Sequence, residues 1–134
     1  MKTFDLTKQY KIFEKDINKR VLKVLSSGSY ILGQNVKSFE NNARKYLATR
    51  YTVSCNSGTD ALVMSLRALN IGSNDQVITT PFTYFATSEA ISLVGAIPIF
   101  ADINPHTFNI NPKKIEKLIS KRTKAILSVN LFEQ

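Results

Sequence analysis

The stretch Asn56-Ser57-Gly58-Thr59-Asp60-Ala61-Leu62 decides how this chain is read. A short β-rich run, Thr52–Cys55, precedes it, and an apolar helical pattern from about Thr59 to Leu69 follows. A strand passing into a helix through a small, polar, glycine-containing turn leaves the first helical N–H groups unpaired and pointing outward, which makes an anion site. Gly58 admits close approach of a phosphate, and the hydroxyls of Ser57 and Thr59 can add hydrogen bonds to it. The competing reading is a capped helix start, with Ser57 or Thr59 as N-cap and Asp60 complementing the helix dipole. By local physics alone the cap is the more economical reading, and the charge of Asp60 counts against a nearby anion unless its side chain points away.

Working outward, the chain alternates in the manner of an α/β fold. After the helix come a strand Val77–Thr79, a helix around Phe85–Leu93 and a strand Ile97–Ala101, then a helix over about Pro112–Ser120 and a strand Ala125–Val129. Strands joined by helical crossovers are expected to be parallel. Pro98 belongs at an edge or a strand start, because it has no N–H for a ladder. Asn74 in Gly72-Ser73-Asn74-Asp75 suits a left-handed turn position, and Asn104-Pro105 marks another turn. Upstream, Phe13, Ile17, Val21 and Val24 recur at helical spacing and end at Ser26-Ser27-Gly28; Val36, Phe39, Ala43 and Leu47 form a second amphipathic helix. These two helices read as an arm leading into the main domain.

Composition narrows the function classes. The length of 134 residues fits one domain or part of one, and a 43% hydrophobic content is ordinary for a chain with a core. The net charge of +8 is spread over Lys8, Lys11, Lys15, Lys19 and Arg20 on the first helix, and over Lys113 to Lys124 around the last one. Such scattering is expected of solvated helix faces and argues against nucleic-acid binding. There is no apolar run of membrane-spanning length and no secretory leader pattern, so the expectation is a cytoplasmic protein without a membrane. Cys55, the single cysteine, is expected to be a small core residue.

A second constellation, Thr80-Pro81-Phe82-Thr83-Tyr84-Phe85-Ala86-Thr87, follows the strand Val77–Thr79. Ligands of open parallel sheets bind beyond the carboxyl ends of the strands, where this segment lies. Phe82 and Phe85 are expected to pack core. Tyr84 is open to a second role, stacking on a flat heterocycle, because its hydroxyl needs a polar partner.

From about Ile31 onward, five ordered blocks resemble the DegT/DnrJ/EryC1/StrS family of nucleotide-sugar aminotransferases: Tyr30-Ile31-Leu32-Gly33, NSGTDAL, NIGSNDQVITTPFTYFAT, GAIPIFADINPHTFNINP and TKAILSVNLFEQ. The resemblance implies an α/β fold of the aspartate-aminotransferase type (fold type I). Residues 1–34 would form a helical arm, and residues 35–134 the N-terminal part of the large domain that binds pyridoxal 5'-phosphate. It implies that Gly58 and Thr59, with Ser57, hold the cofactor phosphate and that Tyr84 stacks on the pyridine. It further implies a homodimer that moves an amino group from an amino acid, usually glutamate, to a nucleotide-linked keto sugar. ITTPFTYFAT and the asparagine of SVNLFEQ look most like the branch acting on UDP-2-acetamido-2-deoxy-hexuluronates.

The family's Schiff-base lysine and its cofactor aspartate belong to blocks beyond the last one seen here, so no lysine of this chain, Lys124 included, takes that role. The expectation is an N-terminal portion that is inactive alone. A small-anion-binding or dimerisation module and a portion of a related sugar dehydratase are the alternatives. Glu133 stands where the family usually has glycine, Asn74 replaces another common glycine, and the lone His106 reads as a loop residue.

Overall fold

A computed structural model describes residues 5–132, which fall into two compact units divided between Ser54 and Cys55. The Glu133 position lies outside the described residues.

The first unit holds two helices, α1 (Leu6–Ser27) and α2 (Gln34–Tyr46). Asp5 caps α1 by accepting from the Thr7 N–H at 3.0 Å, and Gly28 ends it at φ 66 with its N–H returned to the Leu25 carbonyl. That left-handed angle is the reason a glycine stands there. Neither helix buries a residue fully. The stripe Tyr10, Phe13, Ile17 and Val21 of α1 remains exposed, as does Phe39 of α2.

The expected strand Thr52–Cys55 is not formed. A strand exists only through a ladder partner, and this segment pairs with none of the strands of the sheet. One of its backbone groups is satisfied instead by a side chain: the Glu40 carboxylate on α2 accepts from the Ser54 N–H at 2.9 Å and from the Ser54 hydroxyl at 2.8 Å. Cys55, expected in the core, is exposed, on a segment that joins no strand of the sheet. Its thiol donates to the Ser57 carbonyl at 3.3 Å.

The second unit is the α/β part: α3 (Gly58–Ala68), β1 (Gln76–Thr79), α4 (Ala86–Leu93), β2 (Ile97–Phe100), α5 (Pro112–Glu116) and β3 (Thr123–Ile126). The strands make a parallel sheet in the order β2-β1-β3. Central β1 is wholly buried, with Val77, Ile78 and Thr79 at 0% exposure. Val77 meets Leu66 of α3, Ala90 and Ile91 of α4, and Ile71 and Ala96 in one apolar core. Pro98 sits on edge strand β2, opposite Val77, where its missing N–H leaves no gap in the ladder: Ile97 and Ala101 donate to Asp75 and Thr79 on either side.

Polar groups tie β3 on. The Thr79 hydroxyl donates to the Leu127 carbonyl at 2.8 Å, and the Ser120 hydroxyl donates to the Gln76 amide oxygen at 2.6 Å. Helix α5 is five residues long, shorter than the expected Pro112–Ser120, because the chain turns at Lys117 to enter β3 earlier than its apolar run announces. Asn74 has the left-handed angle expected of it, φ 69. No helix among the described residues is long and apolar enough to cross a membrane, and no group of histidine, cysteine and carboxylate side chains there is placed to hold a metal ion.

Two expectations follow. Ile91 is fully buried in the α3/α4/β1 core, so Ile91→Ala lowers unfolding stability by about 3 kcal/mol in denaturant titration. The hydrogen bonds from the Ser54 N–H and then its hydroxyl hold the Glu40 carboxyl below its ordinary value of 4.5, with burial opposing. A depressed folded value means that the clasp is intact above the ordinary glutamate range and is lost as pH falls through the folded value. The Ser54 amide resonance therefore titrates below pH 4.5, and in Glu40→Gln that acid-side transition disappears.

Candidate functional site: the Ser57–Asp60 helix start and the Pro81–Phe85 loop

Ser57 is the N-cap of α3, with extended backbone at φ −151 and ψ 165. Its hydroxyl accepts from the Asp60 N–H at 3.1 Å and donates to the Asp60 carboxylate at 2.9 Å. The carboxylate thus folds back onto the cap and lies within the first turn. Ser57 spends its one hydroxyl proton on Asp60, so in this arrangement its side chain shapes the turn and has no proton left for a ligand. The Ala61 N–H is taken by the Ser57 carbonyl at 3.0 Å.

What remains are the N–H groups of Gly58 and Thr59, which have no partner among the described residues. They open an eleven-residue helix, so the dipole and two free donors coincide. Gly58 has no left-handed angle to justify it, and a Cβ built there meets nothing within 4 Å. The backbone would tolerate alanine; the glycine leaves open room at the spot where a ligand oxygen would meet the two N–H groups.

The β1–α4 connection is built from threonines. Thr80, fully buried, accepts the Phe82 N–H on its hydroxyl at 3.1 Å, and the Thr83 N–H goes to the Pro81 carbonyl. Thr83 and Thr87 share a hydroxyl hydrogen bond at 3.0 Å, and the Tyr84 carbonyl takes the Thr87 N–H. The Tyr84 ring is 80% exposed, and its hydroxyl has no partner among the described residues.

Phe82 and Phe85, expected in the core, are exposed as well. The layer against the sheet is too thin for them: α4 buries Ala86, Thr87, Ala90 and Ile91, small or β-branched residues that bring the helix close, and the rings are left on the loop outside. Phe82 stacks on Phe108 with centroids 5.7 Å apart, and Phe108 meets Phe132 edge-on at 5.3 Å.

Topology brings the two segments to one end of the unit. As the crossover between parallel strands, α4 runs antiparallel to β1, so it begins at the carboxyl end of the sheet. α3 returns through Leu69–Asp75 to the start of β1 and packs on α4, so it too begins at that end. Gly58, Thr59 and Tyr84 are therefore set on two helix entrances above one sheet edge, the position that open α/β sheets use for ligands. The remaining sequence candidates fall elsewhere. Lys124 is exposed on β3, and His106 is exposed in a turn where its N–H donates to Asn104 at 2.9 Å.

The clasp of Glu40 on Ser54 was not legible in the sequence, since the partners are 14 residues apart and carry no motif. Phe108 was equally hidden, as an aromatic inside a turn-rich block with no periodicity to mark it.

Comparison with known proteins places the chain in a family. The model of the DegT/DnrJ/EryC1/StrS aminotransferase family matches residues 11–134. The UDP-2-acetamido-2-deoxy-3-oxo-D-glucuronate aminotransferase of Pseudomonas aeruginosa is 42% identical over 130 residues, which are 97% of this chain and 36% of that protein. Among solved structures, a DegT DnrJ EryC1 StrS aminotransferase from Brucella abortus superposes with a TM-score of 0.90 at 37% identity, covering 98% of this chain and 37% of the other. The ntda protein of Bacillus subtilis, solved with bound cofactor PMP, gives a TM-score of 0.84 at 40% identity over 87% of this chain and 27% of its own. The chain thus spans about a third of the length of the relatives it matches. With its parallel sheet, its flanking helices and its polar helix start, it belongs to the DegT/DnrJ/EryC1/StrS aminotransferase family.

Proposed function

We propose that this chain is the N-terminal part of a pyridoxal-phosphate-dependent aminotransferase that moves an amino group from an amino acid, glutamate by preference, to a nucleotide-linked keto sugar. The family supports the aminotransferase reading, and the UDP-linked oxo sugar named for the Pseudomonas relative supports the substrate class. The cofactor is pyridoxal 5'-phosphate, as the family and the PMP-containing neighbour indicate. When bound, it withdraws electrons from the carbon next to the transferred nitrogen.

The observation that carries the reading is the pair of free N–H groups at Gly58 and Thr59 beside unfilled space. These groups and the Thr59 hydroxyl hold the phosphate. Ser57 keeps the helix start in shape and turns Asp60 inward upon itself, which keeps a carboxylate oxygen occupied by a donor. Tyr84 offers an exposed ring face for the pyridine. All of these residues bind and orient, and none is placed to move a proton on the substrate. The lysine that carries the covalent step belongs to sequence beyond these blocks. The 134-residue chain by itself therefore does not transaminate, and the whole enzyme works as a cytoplasmic homodimer.

Gly58→Ala separates the ligand role from the structural one. Because the added methyl meets nothing in the chain, unfolding stability is unchanged or slightly raised. Because it fills the room for phosphate, affinity for pyridoxal phosphate, followed by its absorbance in a titration, falls at least about tenfold, the equivalent of one charge-assisted hydrogen bond. Equal binding by the two proteins would sink the assignment, as would turnover of glutamate and a keto sugar by the isolated chain.

A further inference from the structure

Phe108 has backbone angles that a bulky residue avoids. It lies at φ 60, in the left-handed region, at the tip of a hairpin-like turn closed by the Ile103–Ile110 bridge. The Phe108 N–H donates to the Asn104 carbonyl at 2.8 Å, and the Asn104 N–H to the Asn109 carbonyl at 2.8 Å. Asparagine or glycine would suit that angle without strain. Strain of this kind persists only where surrounding contacts outweigh it.

Those contacts are aromatic. The Phe108 ring lies between Phe82, stacked at 5.7 Å and 26°, and Phe132, edge-on at 5.3 Å and 76°. Both separations fall within the range in which aromatic pairs gain beyond simple area burial. Phe82 is two residues from Tyr84, on a loop held at its far end by the Thr83–Thr87 hydroxyl bond and the Thr87 N–H to the Tyr84 carbonyl, and at its Phe82 end by the hydrogen bonds from Phe82 to Thr80 and from Thr83 to Pro81. The turn 104–109 thus touches the β1–α4 loop through one ring.

We propose that Phe108 is a positioning residue: its ring, held at a strained backbone angle between Phe82 and Phe132, fixes the Pro81–Phe85 loop and so sets the face that Tyr84 presents to the cofactor. The second half of this rests on the assignment of Tyr84 to the pyridine ring; the first does not. Phe108 touches no reacting group. Its effect passes through Phe82 to the loop, and the Gly58–Thr59 donors on the other helix start are independent of it.

The test uses the 134-residue chain with Phe108→Gly, which removes ring and strain together, Phe108→Tyr, which keeps the ring, and Phe82→Leu, which removes the stack while leaving the turn untouched. Amide exchange at Phe82 and Thr83 accelerates about fivefold in Phe108→Gly and in Phe82→Leu, the loss of one aromatic pair, and stays near wild type in Phe108→Tyr. Exchange at Val77 and Ile78 does not change. Unaltered loop exchange, or equal acceleration of loop and sheet, overturns the proposal.

In a parallel titration, Phe108→Gly weakens pyridoxal phosphate about fivefold, leaves inorganic phosphate unchanged, and adds nothing to Tyr84→Ala. A parallel loss of both ligands, or full additivity with Tyr84→Ala, overturns the link from Phe108 to Tyr84. If Tyr84→Ala alone leaves pyridoxal phosphate binding intact, the stacking role of Tyr84 is what fails, and the exchange rates still decide whether Phe108 holds the loop.

Discussion

The second unit depends on the packing of α3 and α4 over β1. Four residues of β1 are buried along their whole length, and Val77 is held between Leu66 on one helix and Ala90 and Ile91 on the other. Because a strand so enclosed cannot slide by one residue without turning Val77 out of the core, the register fixes where β1 ends. Where β1 ends fixes the loop Pro81–Phe85, and the contact of α3 with α4 fixes the height at which α3 begins. The free N–H groups of Gly58 and Thr59 and the exposed ring of Tyr84 are consequences of that one packed layer. They stand at its edge because small residues, Ala86, Thr87 and Ala90, leave no space there for anything larger.

Two readings of the helix start compete in the sequence. A cap and an anion site ask for the same residues, and the observed hydrogen bonds leave donors for both. Ser57 takes the Asp60 N–H, its carbonyl takes the Ala61 N–H, and Asp60 closes on Ser57; Gly58 and Thr59 keep theirs. The cap holds the first turn in place while leaving two donors at the positive end of the dipole, which is what the proposed phosphate site requires.

Much of this was legible beforehand. The helices and strands of the second unit followed from apolar periodicity, and Asn74 and Pro98 took the positions that their backbones demand. Three things were not legible. The run Thr52–Cys55 has strand composition, but composition cannot supply the neighbour a ladder needs, and Glu40 answers its backbone instead. Phe82 and Phe85 look like core by hydrophobicity, yet the thickness of the layer, set by alanines elsewhere in α4, excludes them. Phe108 sits at an angle that no local sequence rule would assign to phenylalanine, in a turn closed by the Asn104 hydrogen bonds and with its ring set between Phe82 and Phe132.

The central claim is that two backbone N–H groups at one helix start are reserved for a phosphate. It is tested most directly by titrating the isotopically labelled chain with inorganic phosphate and following every backbone amide by NMR. The account predicts saturable shifts that are largest at Gly58 and Thr59, with Val77 and Ile78 unmoved. Shifts spread over the lysines of α1 and α5, with Gly58 and Thr59 silent, would contradict it.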